Sequence, residues 1–405
     1  MTISRIGSSI SQSATLALNQ TAAALRAKGE PVIHLGGGEP KSKAPADALA
    51  AAAAMLKTGE VRYTPAGGTL ALKQAIIQYT EEFYGTTVDP ANVIASNGAK
   101  QSIMVALQAI LDPTDEVIFP VPYWVSYPEM VKLCGAVPVP VLTEDGSFHP
   151  RIADIERKVT PRTKAVMINS PNNPTGAMYA EEFVAELVGR CEKRGLYLIM
   201  DDIYHRLVFD GRTPISCYTY AREPMETSKL IVINGVSKQY AMTGFRIGWA
   251  VASKGLIQVM TNIQGHQTSC PSAIGQHAAV AAINGEQGSV EGLRRTLENN
   301  RNALMAEFDS FSGVTATRPD GTFYCFADFR HYEKDSTKLA KQLLEKALVV
   351  TVPGVEFGMD GHLRISTCGS LQDITEGVAR MKWVLDPSAP AEIRIGDRTV
   401  VRDWM

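Results

Sequence analysis

Between about residues 46 and 290 the chain alternates two textures. Segments with apolar residues at three- and four-residue spacing (PADALAAAAAMLK, TLALKQAIIQYTEEF and KQSIMVALQAIL) predict helices. Between such segments fall short, continuous apolar runs: EVIFP (116–120), VPVPV (137–141), KAVMI (164–168), LYLIM (196–200), KLIVI (229–233) and IGWAVA (247–252). Runs of this kind mark strands buried on both faces of a mostly parallel sheet. Their regular alternation with helices predicts an α/β fold, a large domain over 46–290 with a central sheet flanked by helices. After about 290 a long polar helix (VEGLRRTLENNRNALMAEFDSF) leads to VTATR, TFYCFADF, another helix, LVVTV and HLRIS. These runs pair around turns such as PDG (319–321), which predicts a smaller α+β domain from 291–405 joined by the N-terminal segment 1–45. Its tail, 387–405, holds a Pro-rich link and then IRIGDRTVV, a hairpin around Gly396-Asp397.

A length of 405 residues suits two domains, and 45% hydrophobic with 20% charged residues is ordinary for a globular protein. The formal net charge of −2 offers no electrostatic reason for nucleic acid or an anionic membrane as partner. No apolar run approaches the roughly 20 residues that span a bilayer. The N-terminus is polar throughout and lacks a signal-peptide core, so a cytoplasmic protein is expected. Six dispersed cysteines without CxxC argue for reduced thiols, against a disulfide framework and against a zinc site. The seven histidines form no HExxH pair, and no metal is expected.

Candidate chemistry gathers where strands end, the usual ligand-binding edge of an α/β sheet. After KLIVI comes NGVSKQYAMTGFRIG, offering Ser237, Lys238 and Arg246. By itself such a lysine reads equally as a solvated surface charge. After KAVMI comes NSPNNPTG, a turn whose Asn172 and Asn173 bring amides to the edge. MDDIYHRL places Asp201 and Tyr204 three apart at the next exit; Asp202 competes with Asp201, and either aspartate could instead cap a helix. SNGAKQS opens a helix, whose free N–H groups suit a phosphate. It is no Walker motif, and without GxGxxG a nicotinamide dehydrogenase is excluded. PYWVSY puts Tyr123 and Trp124 where an aromatic could cover a flat ring or join the core. A lysine, an acid for a ring nitrogen, donors for a ring oxygen and an anion cradle are the residue types that pyridoxal 5′-phosphate requires.

With NNPTG, DxxY and SK-(x7)-R in this order, the sequence resembles the fold-type I pyridoxal-phosphate enzymes of aminotransferase class I/II, nearly to residue 385. SATLALN, GGEP, YTPAGG, PYWVSYPEM and AMTGFRIG are similar to the bacterial aspartate aminotransferase branch, subgroup Iγ. The resemblance implies that Lys238 carries the cofactor and moves the substrate proton, and that Asp201 pairs with the ring nitrogen. It implies that Tyr204 and Asn173 bond the ring oxygen and that Trp124 stacks on the ring. Gly98, Ala99, Lys100 and Arg246 would hold the phosphate, with Tyr63 reaching it from the partner subunit of a homodimer. Arg364 and the Gly38 N–H would bind the substrate α-carboxylate.

One departure stands out. The family often has a hydroxyl residue three before the lysine, and this chain has Gly235, so Ser237 is the substitute candidate. Ser13, Thr15 and Lys100 match the residues that read a distal carboxylate, which implies aspartate or glutamate with 2-oxoglutarate or oxaloacetate as 2-oxo acid. Helix capping is the other reading for Ser13 and Thr15, and Lys100 serves either phosphate or substrate. Ser11, where members that take prephenate tend to be basic, disfavours that substrate. Transaminases for aromatic or branched amino acids, and C–S lyases, use the same cofactor machinery and are the alternative activities.

Overall fold

A computed structural model describes residues 3–12, 14–143 and 147–404, with backbone alone for 14–16 and 19. Helices α1 (Arg5–Ser9) and α2 (Ala14–Ala27) precede a short strand, β1 (Ile33–His34). After α3 (Ala46–Lys57) and α4 (Leu70–Tyr84) the alternation begins with β2 (Val93–Ser96), α5 (Ala99–Ile110) and β3 (Glu116–Val121). It continues through α6 (Ser126–Leu133), β4 (Val137–Leu142), α7 (Ile152–Glu156), β5 (Thr163–Asn169), α8 (Glu181–Arg194) and β6 (Tyr197–Asp201). Strands β7 (Leu230–Gly235) and β8 (Gly248–Val251) then lead to α9 (Lys254–Gln267), α10 (Ala273–Asn284) and the unbroken α11 (Gly288–Asp309). The remainder comprises β9 (Thr315–Ala316), β10 (Tyr324–Asp328), α12 (Ser336–Ala347), β11 (Val349–Val350) and β12 (Val352–Pro353). Last come β13 (His362–Ser366), α13 (Leu371–Leu385), β14 (Glu392–Ile395) and β15 (Arg398–Val401).

The central sheet runs in the order β2-β8-β7-β6-β5-β3-β4. Its strands are parallel except for β8, which is antiparallel to both β7 and β2. The expected α/β architecture is therefore present. Side chains alternate between faces with period two, and this splits the apolar runs between two cores. Val166, Ile168, Leu198, Met200 and Val232 pack on one face, whereas Ala165, Met167, Ile199, Ile231 and Ile233 pack on the other. Each such aliphatic side chain contributes about 1.5–3 kcal/mol on burial. One expectation needs correction. VPVPV is not buried on both faces: β4 is the edge strand and, of its residues, only Val141 is buried. Its prolines cannot donate to a ladder, which confines such a run to an edge.

The C-terminal part forms an antiparallel sheet, β12-β13-β10-β9, while β1 pairs in parallel with β11. Ile33 and Leu35 consequently share a core with Leu304, Phe308, Val349, Leu363, Ile365 and Val378. From β1 the chain runs directly into a turn at Leu35 and Gly36 and on through the GGEP segment. The expected tail hairpin forms, with Ile395 buried, and Trp404 meets Trp383 edge-on at 5.1 Å.

Candidate active site

A cavity of about 440 Å³ opens at the carboxyl ends of β5, β6 and β7. Asp201 closes β6 and is buried, its Oδ2 accepting a 2.7 Å hydrogen bond from the Tyr127 hydroxyl and its Oδ1 one from Ile203 N–H at 3.3 Å. Burial pushes its pKa up to about 6, opposed by those two hydrogen bonds and by Lys238. Asp202 does not line the cavity: it is buried towards Tyr84, Tyr218 and Cys217, and burial holds its carboxyl well above the usual range. Consecutive residues at a strand end project to opposite faces, so the geometry separates two aspartates that motif spacing leaves equivalent.

Lys238 lies in the connection between β7 and β8, and its Nζ donates to Gly38 O at 2.6 Å. Burial lowers its pKa to about 8, an effect that Cys368 and Glu39 oppose and that Arg364 and Arg246 reinforce. Gly235 has no room for a hydroxyl residue. It pairs with Gly248 across the β7–β8 ladder, and a Cβ there would stand 2.9 Å from Ile247 O and 3.0 Å from Gly248 Cα. Ser237, two residues on, lines the cavity.

At the β5 exit Asn173 N–H donates to Asn169 Oδ1 at 2.8 Å, and Asn169 Nδ2 donates to Asp201 O at 2.7 Å. Asn173 Oδ1 accepts from Arg364 Nη1 at 3.0 Å, and Arg364 Nη2 donates to Gly36 O at 3.1 Å. Arg364 is 2% exposed, its guanidinium stands 4.2 Å from the Tyr324 ring centre, and its Nε has no acceptor among the described residues. Tyr204 lines the same cavity, its ring 6.0 Å edge-on from Tyr324. Burial raises its pKa well above the ordinary value, so it stays a neutral donor.

The first N–H groups of α5 have no intrahelical acceptors, and Ala99 and Lys100 supply them at the cavity wall. Gly98 caps this helix with φ +87°, and a Cβ there would stand 2.6 Å from Arg246 Nη2. Arg246 itself is held by Thr243 O at 3.0 Å and Asn97 O at 3.2 Å. Trp124 lines the wall, with Lys100 Nζ 4.8 Å from its ring centre and the Tyr127 ring edge-on at 5.5 Å. Two cationic groups thus flank the lysine amine and a carboxylate, an arrangement suited to a dianionic ligand with a protonated ring nitrogen.

The cavity brings together Lys238, Asp201, Tyr204, Asn173, Trp124, Ala99, Lys100, Ser237, Arg246, Arg364 and Gly38. Gly98 stands just behind it against Arg246, and Tyr63 is 89% exposed and does not line it. Ser13 and the Thr15 side chain lie outside the described residues. Tyr127, Asn169, Glu39 and Tyr324 escaped the sequence reading. Tyr127 had a local signal, standing three residues after Trp124 at the first turn of α6, where such pairs meet.

A family model described as aminotransferase class I and II matches residues 30–381. The chain is 39% identical to an aspartate aminotransferase of Geobacillus stearothermophilus over 96% of its own length and all of the relative's. It is 37% identical to the aspartate aminotransferase of Bacillus subtilis over 94% of this chain and 98% of that one. Among solved structures it is similar to aspartate aminotransferase from Thermus thermophilus with maleate. There the TM-score is 0.90 and the identity 36%, covering 95% of this chain and 100% of that one.

Proposed function

The chain belongs to aminotransferase class I and II, a pyridoxal-phosphate-dependent family, and on that premise we propose the substrates and the residue roles. The protein transfers the amino group of aspartate or glutamate to 2-oxoglutarate or oxaloacetate in two alternating half-reactions. One observation carries the reading: a half-buried lysine, Lys238, shares a single cavity with the buried Asp201 and the buried fork of Arg364.

The residues present fit the cofactor. The α5 amides at Ala99 and Lys100, the Arg246 guanidinium and Ser237 would hold its phosphate, with Gly98 leaving Arg246 space. Asp201 would hold the ring nitrogen, Tyr204 and Asn173 the ring oxygen, and Trp124 one ring face. When bound, the cofactor supplies the electron sink for negative charge developing at the substrate Cα.

Lys238, with its pKa lowered to about 8, keeps a fraction of its amine unprotonated near neutral pH and is the base that takes the Cα proton. Tyr127 holds the Asp201 carboxylate charged against burial. Arg364 lines the cavity, where its guanidinium would bind the substrate α-carboxylate. Lys100 attracts the distal carboxylate of an acidic substrate.

A homodimer sharing its sites is supported by exposed apolar side chains along one segment, Leu49, Leu56, Val61, Tyr63 and Leu70. Light scattering on a Tyr63→Phe variant, together with its phosphate-dependent cofactor affinity, tests the shared site. Among the described residues no helix is long and apolar enough to cross a membrane.

The decisive experiment mixes holoenzyme with aspartate alone and follows the near-visible band of the lysine-bound cofactor. Aspartate should bleach it and 2-oxoglutarate restore it, and Lys238→Ala should abolish both changes. A Lys238→Ala protein with normal turnover would refute the assignment.

A further inference from the structure

Five buried polar side chains that do not line the cavity meet behind the Lys238 turn: Tyr79, Tyr84, His205, Asn234 and Gln239. Their donors and acceptors can be assigned by starting from the main chain, whose roles are fixed. Gly235 N–H can only donate, and it does so to Asn234 Oδ1 at 2.7 Å. Asn234 Nδ2 therefore faces the other way, reaching Tyr84 Oη at 2.9 Å and His205 Nδ1 at 3.0 Å. Gly235 O can only accept, and it takes Gln239 Nε2–H at 3.1 Å. Gln239 Oε1 then accepts the Tyr79 hydroxyl proton at 2.9 Å. The Tyr79 oxygen lies 2.9 Å from His205 Nε2 and 3.2 Å from Nδ1. Because Nδ1 must accept from Asn234, the ring proton belongs on Nε2; the Tyr79 oxygen, almost equidistant from the two nitrogens, lies off the Nε2–H direction and is a packing contact.

One arrangement thus uses the N–H and the C=O of Gly235, both amides and the ring Nδ1. We propose that His205 is a positioning residue for Lys238: its neutral imidazole locks Asn234 through Nδ1, while Tyr79 holds Gln239. Those two side chains hold the main chain of the turn that presents the lysine. The proposal rests on the reading that Lys238 carries the cofactor. His205 also follows Tyr204 directly, so the turn Asp201–His205 gives a phenol to the cavity and an imidazole to the brace behind it. A second ring proton would set an N–H against the Asn234 amide donor. Burial, with Arg206 nearby, pushes His205 down to about 3, which keeps the ring neutral through the physiological range.

The test compares holoenzymes of wild type, His205→Phe and His205→Gln. Three readouts are taken: the apparent pKa of the lysine-bound cofactor band, amide exchange over residues 235–239, and kcat against KM. His205→Phe should move the band pKa by at least about half a unit and speed exchange across the turn about tenfold. It should lower kcat roughly tenfold, with KM within about twofold, because a lysine displaced by a fraction of an ångström loses its alignment. His205→Gln supplies an oxygen for Asn234, and it should recover most of each loss. A folded His205→Phe with wild-type band pKa and exchange would overturn the proposal, as would a His205→Gln no better than the phenylalanine variant. Should His205→Phe fail to fold, His205→Leu decides: faster exchange over 235–239 supports the brace, and unchanged exchange overturns it. A wild type without the visible band overturns the cofactor assignment itself, an outcome distinct from an unresponsive band in the variants.

Discussion

Tyr127→Phe isolates the hydrogen bond that keeps Asp201 charged. The change removes one hydroxyl 2.7 Å from Asp201 Oδ2 and retains the ring, including its contact with Trp124 at 5.5 Å. Hydrogen bonds to charged groups are worth about 1.5–3 kcal/mol, and one pKa unit corresponds to about 1.4 kcal/mol. Loss of the bond therefore raises the Asp201 pKa by about one unit at the conservative end. The sign follows from burial, which already raises this carboxyl to about 6, so removing a bond that favours the charged form raises it further. With an upward shift of about one unit from that value, the charged fraction at about pH 6 drops from about a half to roughly one-eleventh. By about pH 8.5 it is nearly complete in both proteins. The assay is the pH profile of the aspartate half-reaction. Its acid limb should move up by about one unit, with about a fivefold loss near pH 6 and less than twofold near pH 8.5. An unmoved acid limb, or an equal loss at every pH, would refute the role of Tyr127.

Gly235→Ser should not restore the family hydroxyl. Its Cβ meets main-chain atoms at 2.9 and 3.0 Å, so overpacking of about 1–3 kcal/mol is expected in thermal unfolding, and a variant of wild-type stability with tighter cofactor binding would contradict this. Lys100→Ala should lower kcat/KM for aspartate about tenfold, or about 1.4 kcal/mol, while alanine and phenylalanine change little. Equal losses across those substrates would remove its distal-carboxylate role. Deleting residues 387–405 strips Trp404 from Trp383, removes the buried Ile395 and frees the carbonyls of Trp383 and Asp386 that Arg402 holds. A cost of about 3 kcal/mol is expected in denaturant unfolding, with kcat within about twofold because the hairpin does not line the cavity.

The architecture was legible because period is a local property. Alternating apolar runs and helical spacing mark the strands and helices of the central sheet directly, since each element must bury its own faces. The run VPVPV looked like its neighbours for the same reason, yet what packs over a strand decides its burial: the edge strand β4 is left largely uncovered, whereas β2 at the other edge is buried. The family signal was also local, carried by short turns such as SPNNPTG and SKQYAMTGFR, each lying at one strand exit.

Sequence alone therefore determined the fold class and the family, and it offered candidate residues for a pyridoxal phosphate. Tertiary structure decided which of them meet. Asp201 rather than Asp202 enters the cavity, because β6 pairs with β5 and β7 in a register that aims only one of two adjacent side chains there. Tyr127 reaches Asp201 across 74 positions, Arg364 reaches Asn173 across 191, and His205 meets Asn234 behind the lysine. The lowered basicity of Lys238 likewise comes mainly from being buried beneath other segments. Distances, burial and charge fields arise from chain segments brought together by packing, and no local window of the sequence contains them.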